Sequence, residues 1–175
     1  LIGSDGVSYG VMPPEGTWRD IMMQEVGGEL DMSRIAFPGR VPYSTYLSLL
    51  QRSDAHVYLT YPFVASWSLR ESLAIGCAVV GSDTQPVSEF ITHDDNGLLT
   101  SFFDKQALAD KILELLENQD LNQRLRAAAR AYAEKNLSMP DYIDNYKALI
   151  GRITGRQVDE PGSVPISAAS SPPAP

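Results

Sequence analysis

The 175-residue chain is 43% hydrophobic and 21% charged, with a net charge of −8. A chain of this length buries roughly 70% of its unfolded surface, so it can hold a core without disulfides or a structural metal. The single cysteine, Cys77, excludes an intrachain disulfide framework and a cysteine-based zinc site; five basic residues against twelve acidic ones up to Phe103, and nine against ten beyond it, argue against a nucleic-acid groove or an anionic membrane surface as partner.

Leu1-Ile2-Gly3 reads as the end of a strand already under way, and the chain is expected to be a fragment of a longer protein. Pro13-Pro14-Glu15-Gly16 is a loop. Trp18, Ile21, Met22, Glu25 and Val26 then follow helical spacing, which Gly27-Gly28 stops. Arg34-Ile35-Ala36-Phe37 predicts a short strand ended by Pro38-Gly39. Tyr43, Tyr46, Leu47 and Leu50 recur at helical intervals, giving a helix to about Ser53. Ala55 to Leu59 reads as a buried strand, and a helix follows from about Ser66 to Ile75, with Gly76 where a left-handed cap is wanted. Cys77 to Val80 is a fully apolar strand closed by Gly81. Pro86 opens a short helix, where its missing N–H costs nothing. Asn96-Gly97 turns the chain into a strand at Leu98-Leu99.

The remainder reads as helical. Leu108, Ile112, Leu115 and Leu116 form one face, and Leu121, Leu125, Ala128 and Tyr132 the next. Ser138 caps a last helix, with Pro140 in its first turn and Ile143, Tyr146, Ile150 and Ile153 expected on its inner side. Five of the twelve prolines lie in the last fifteen residues, so 156–175 is expected to be a disordered tail and 1–155 the folded domain. No run of about 18 apolar residues is present, so no transmembrane helix is read. Strands alternating with helices, the strands continuously apolar, predict an α/β fold: a Rossmann-like parallel sheet with helices on both faces. Ligands in such sheets sit beyond the carboxyl ends of the strands, which singles out the loops at 39–43, 60–68 and 81–86.

The segment 60–82 is the most informative. A helix start gathers unpaired backbone N–H groups and a positive dipole end, which suits phosphate. A carboxylate near it, Glu71, is better placed to accept hydrogen bonds from vicinal sugar hydroxyls. Ser68-Leu69-Arg70-Glu71 also matches a capping box, in which Ser68 and Glu71 satisfy the orphan N–H groups reciprocally. Spacing alone leaves both roles open.

Read together, the strand at Ile35-Ala36-Phe37 with Gly39, the strand ending at Leu59, Glu71-Ser72-Leu73-Ala74-Ile75-Gly76, Ala78-Val79-Val80, Pro86-Val87-Ser88-Glu89-Phe90-Ile91 and Asp95-Asn96-Gly97-Leu98-Leu99 follow one another in an order that resembles one family. It is the C-terminal, donor-binding domain of retaining glycosyltransferases of family 4 (group 1), which have the GT-B fold. The resemblance runs from Leu1 to about Leu137. It implies transfer of a sugar from a nucleotide-diphospho-sugar, a substrate rather than a cofactor, to an acceptor hydroxyl, without a metal ion. It implies that Glu71 binds the donor ribose. The first of the family's two spaced glutamates falls at Phe63, so that role is vacant or served differently, with the backbone N–H groups of Val64, Ala65 and Ser66, beside Ser68, expected to hold sugar or phosphate oxygens. Glu89 matches the glutamate of the next motif, although the usual Gly-Gly pair before it is altered, the stretch here being Asp83-Thr84-Gln85-Pro86. Arg40 and Val41 occupy the segment that packs on the nucleotide base. The family's basic pair precedes the segment matching Leu1-Ile2-Gly3, and its acceptor half, which meets a glycan or lipid-linked acceptor, lies further upstream. Neither is in this sequence, so the chain alone is expected to bind weakly and turn over nothing. A cytoplasmic setting, peripheral to the inner face of a membrane, is implied for the complete enzyme. The alternatives are a non-catalytic α/β binding module and a GT-B sugar-nucleotide epimerase.

Other chemistry-bearing residues read as structural. His56 lies mid-strand and reads as a core or edge histidine, Glu89 also reads as a first-turn carboxylate favoured by the helix dipole, and Cys77 as a small core residue. His93-Asp94-Asp95 has the ordinary chemistry of a turn.

Overall fold

The computed structural model describes residues 1–7 and 10–155. The segment 156–175, read above as disordered, lies outside the described residues. Among the described residues the α-helices and β-strands follow in order: α1 (Trp18–Val26), α2 (Tyr43–Arg52), β1 (His56–Tyr58), α3 (Trp67–Ile75), β2 (Val79–Ser82), α4 (Gln85–Ser88), β3 (Leu98–Thr100), α5 (Lys105–Glu117), α6 (Gln119–Asn136) and α7 (Met139–Thr154). The strands form a parallel sheet in the order β1-β2-β3. His56 stands opposite Val79, and Val80 opposite Leu98. The α3 and α4 connections supply the crossovers that parallel pairing requires.

Alternation along β2 divides the core. Val79 faces Leu50, Leu69, Leu73 and Val87 on one side. Ala78 and Val80 face Leu98, Leu115 and Leu125 on the other. The long helix α6 serves both sides, through Leu121 and Leu125 on one and Ala129 and Ala133 on the other. It is also strapped to its neighbours by guanidinium groups. Arg126 donates to the carbonyls of Ser53 and Gln51 at the end of α2, and Arg130 donates to the Ala74 carbonyl at the end of α3. Carbonyls at helix ends lack intrahelical donors and carry partial negative charge, so they attract such cations.

Several sequence expectations are corrected. The predicted strand over Arg34–Phe37 is not a ladder. Residues 32–34 form a 3₁₀ turn, and among the described residues the segment is joined to 1–3 by a parallel bridge between Ile2 and Gly39, with the Gly3 N–H on the Gly39 carbonyl and the Leu1 amine on the Ala36 carbonyl, both at 3.0 Å. The strand expected at Cys77–Val80 begins and ends two residues later. Gly81 lies inside it rather than closing it, because α4 packs so close that a Cβ there would stand 2.9 Å from Val87 Cγ1. The inner face expected for α7 is overturned. No residue of α7 is buried, and Ile143, Tyr146 and Ile153 are exposed, because their stripe meets no covering element among the described residues. The same holds for α1, where Trp18 and Met22 are exposed.

Gly76 takes the left-handed cap expected of it, with φ of 77°, and a Cβ there would meet the Arg126 carbonyl oxygen at 3.1 Å. Gly76→Ala should lower the unfolding free energy by about 1–3 kcal/mol in urea melts, through backbone strain and crowding. His56 is half-buried, and burial holds its imidazole below the ordinary 6.5. The unfolded chain then binds a proton more readily than the folded one. Stability should therefore fall as pH drops through about 6.5 and level off below the folded value. Urea melts across that range should show a shallower fall for His56→Gln.

Candidate functional site

The carboxyl ends of the strands are tied together before the loops leave them. The Ser82 hydroxyl accepts from the Thr60 N–H and donates to the Thr60 carbonyl, both at 3.0 Å. The Asp83 N–H reaches the Thr100 carbonyl at 2.7 Å. From this rim the 60–66 loop leads into α3. Ser66 is the N-cap residue of α3, and no side chain caps the helix. The Ser66 N–H already donates to the Tyr58 hydroxyl at 3.0 Å, so a ligand oxygen at this position would compete with that bond.

The start at Ser66 overturns the capping-box reading of Ser68 and Glu71. A capping box needs its carboxylate three residues after the cap, whereas Glu71 stands five after Ser66. Ser68 pairs its hydroxyl with that of Ser66 instead. Glu71 is half-buried, and its Oε1 accepts from the Tyr43 hydroxyl at 2.9 Å. Tyr43 opens α2, and its ring is otherwise exposed. The Tyr46 hydroxyl is buried without a hydrogen-bond partner among the described residues. Burial first, and the neighbouring Glu71 carboxylate second, push its pKa up to about 12. The Tyr43 phenol is raised chiefly by its bond to Glu71. Glu71 is thus a carboxylate flanked by two phenols, one donating to it and one close enough to feel its charge.

The remaining expected residues fall into two places. Phe63, Val64, Ala65 and Glu89 line one cavity of about 400 Å³, together with Pro62, Arg70, Gln85, Pro86 and Phe90. Phe63 and Val64 are exposed at its rim. Glu89 is not the first-turn carboxylate expected above. The helix α4 is a single turn and Glu89 is its C-cap, so the dipole there does not favour a negative charge. Its carbonyl accepts from the Tyr132 hydroxyl at 3.2 Å. Arg40 and Val41 do not line this cavity. Arg40 is exposed after Gly39, with Nη2 3.5 Å from Ser4 Oγ, and Val41 is half-buried. The structure therefore brings four of the nine expected residues around one cavity and sets Glu71 on α3 beside α2. His93 takes a structural role, its Nδ1 accepting the Leu99 N–H at 2.9 Å.

Two residues at this site escaped the sequence. Tyr43 was legible only as part of an apolar helical stripe. Arg70 lines the cavity from α3 and had no signal of its own.

A parallel sheet flanked by helices, with polar groups gathered beyond the strand ends, defines an α/β domain of the Rossmann type. The sequence matches the family described as Glycosyl transferases group 1 over residues 29–132, more than half of the chain, and the protein belongs to that family. It is 24% identical over 116 residues to N-acetyl-alpha-D-glucosaminyl L-malate synthase of Bacillus anthracis, a match covering 66% of this chain and 30% of that protein. The structure of Alr3699/HepE from Anabaena in complex with UDP-glucose superposes with a TM-score of 0.67 at 18% identity, covering 79% of this chain and 37% of that one. The C-terminal domain of a group 1 glycosyl transferase family protein (LpcC) from Francisella tularensis superposes with a TM-score of 0.61 at 22% identity, covering 70% of this chain and 63% of that one. The fold is that of GT-B glycosyltransferases. The chain spans about a third of the length of the Bacillus and Anabaena proteins.

The Tyr43–Glu71 bond has a spectroscopic signature. A neutral phenol is favoured while it donates to a carboxylate, so losing the carboxylate lowers the phenol pKa. Ultraviolet titration of the tyrosines should show Tyr43 ionising at lower pH in Glu71→Ala than in the unsubstituted chain. Tyr46 should also come down but stay above the ordinary tyrosine value, because burial is the largest cause of its shift and Glu71 the second.

Proposed function

We propose that this domain is the donor-binding, C-terminal half of a retaining glycosyltransferase of family 4, and that it holds a nucleotide-diphospho-sugar beyond the carboxyl ends of its sheet. The observation that carries this reading is Glu71. It takes no part in capping α3, it is half-buried, and the Tyr43 hydroxyl fixes its carboxylate at 2.9 Å. An oriented carboxylate of this kind accepts hydrogen bonds from two vicinal hydroxyls, as the acidic residue of dinucleotide sites does. The donor ribose supplies such a pair. The sugar end lies in the cavity lined by Phe63, Val64, Ala65 and Glu89, with Ser66 and Ser68 at the adjoining helix start. Arg40 and Val41 border the base.

In the complete enzyme the bond from the anomeric carbon to the diphosphate breaks, and a bond to the acceptor oxygen forms on the same face. The proton of the acceptor hydroxyl leaves with the nucleotide diphosphate. Charge on the leaving group is stabilised by side chains and backbone donors, a scheme that uses no metal ion. The acceptor, a glycan or a lipid-linked glycan, meets the other half of the protein, in the cytoplasm at the inner face of a membrane. The Anabaena structure holding UDP-glucose supports a uridine donor as the first to try.

Calorimetric titration with UDP and with inorganic pyrophosphate tests the ribose contact. Glu71→Ala should weaken UDP binding about tenfold or more, the scale of losing hydrogen bonds to a charged group. Pyrophosphate binding should stay within about twofold, on the same scale of reasoning. Equal losses for the two ligands would contradict the ribose contact.

A further inference from the structure

Arg70 is the residue that neither the family resemblance nor the nucleotide-sugar reading employs. Three arginines among the described residues are half-buried: Arg19, Arg70 and Arg126. Arg19 pairs with Asp5 at 2.7 Å, and Arg126 donates to two carbonyls. Arg70 has no carboxylate, carbonyl or hydroxyl acceptor among the described residues. What it has is two aromatic rings. Its Cζ lies 5.2 Å from the Trp67 ring centroid and 5.1 Å from that of Phe90. Rings over a guanidinium hold it by cation–π attraction and reduce its contact with water. They leave the in-plane N–H donors unused, and those donors match the two oxygens of a carboxylate or phosphate.

Arg70 lines two cavities, one of them a space of about 730 Å³ shared with Trp67, Phe90, Lys135 and Asp141. The other is the space of about 400 Å³ that Phe63, Val64, Ala65 and Glu89 share. Glu89 is the one acid among the described residues lining that cavity, yet it and Arg70 form no ion pair within 4.0 Å. Glu71, next to Arg70 in sequence, is turned away to Tyr43. A partly desolvated, ring-held arginine with unused donors at a cavity wall is a receptor for an oxyanion.

We infer that Arg70 binds an oxyanion of the donor inside this cavity, either a carboxylate carried by the sugar or the phosphate next to it. The inference rests on the nucleotide-sugar reading of the site and adds to it a charge requirement. Glu89 on the same wall is suited to accept from sugar hydroxyls, which leaves Arg70 for the anionic edge of the ligand.

The experiment titrates the 175-residue chain, with R70Q, R70K and E71A, against UDP, UDP-glucose, UDP-glucuronate and pyrophosphate. R70Q should weaken at least one uridine ligand about tenfold, the scale of a lost charge-assisted hydrogen bond. R70K should fall between R70Q and the unsubstituted chain, because it keeps the charge but loses the planar fork. Its measurable binding guards against a folding defect. A loss confined to UDP-glucuronate assigns the oxyanion to the sugar carboxylate. A similar loss for UDP, UDP-glucose and pyrophosphate assigns it to the phosphate. R70Q binding every ligand as the unsubstituted chain does overturns the inference while leaving the ribose contact standing. E71A binding UDP as tightly as the unsubstituted chain defeats the ribose contact whatever Arg70 does. Failure of the unsubstituted chain to bind any of the four defeats both.

Discussion

The rotation of α3 about its own axis is the constraint on which the site depends. Leu69, Ser72 and Leu73 are fully buried, and Gly76 ends the helix in a left-handed turn against the α6 backbone. With one side chain every 100°, burying those residues leaves Arg70 and Glu71 on the faces that remain. Arg70 then meets Phe90 and the cavity, and Glu71 meets Tyr43. Neither polar residue chooses its direction. The apolar residues between and around them do, because the free energy of burying two leucines exceeds that of any single surface hydrogen bond.

The sheet supplies the second fixed reference. Its described strands are three or four residues long, so little of the loop geometry comes from ladder pairing. The Ser82 hydroxyl compensates by joining the ends of β1 and β2 through both its donor and its acceptor. Gly81 does the same by subtraction, its missing side chain letting Val87 and α4 close on the sheet. These two small residues set the distance between the 60–66 loop and α4, and hence the width of the cavity between Phe63 and Glu89.

Where the sequence was legible and where it was not follows from range. The periodic spacing of Tyr46, Leu47 and Leu50, and of Leu121 and Leu125, marked helices that are present. A left-handed glycine after Ile75 was legible because a cap is a local device. The strand at 34–37 was misread because apolar residues give strand-like composition without guaranteeing a partner, and only a single bridge joins Gly39 to Ile2. The inner face of α7 was misread for a related reason. Amphipathic spacing says that a face is apolar but not what covers it, and among the described residues nothing buries Ile143 or Ile153.

The sequence alone determined the succession of elements, the parallel α/β class and the likeness to group 1 glycosyltransferases, the family that residues 29–132 match. These are set by hydrogen bonding and hydrophobic periodicity within windows of a few turns, which one sequence displays directly. It left Glu71 divided between capping and ligand binding, since Ser68-Leu69-Arg70-Glu71 fits both. Tertiary structure decided against capping by starting α3 at Ser66, and it supplied the Tyr43 partner from 28 positions away. It also set Arg70 between two rings, one of them 20 residues distant. Such partnerships depend on how α2, α3 and α4 pack against one sheet, and no local pattern encodes the angle at which two packed helices bring their side chains together.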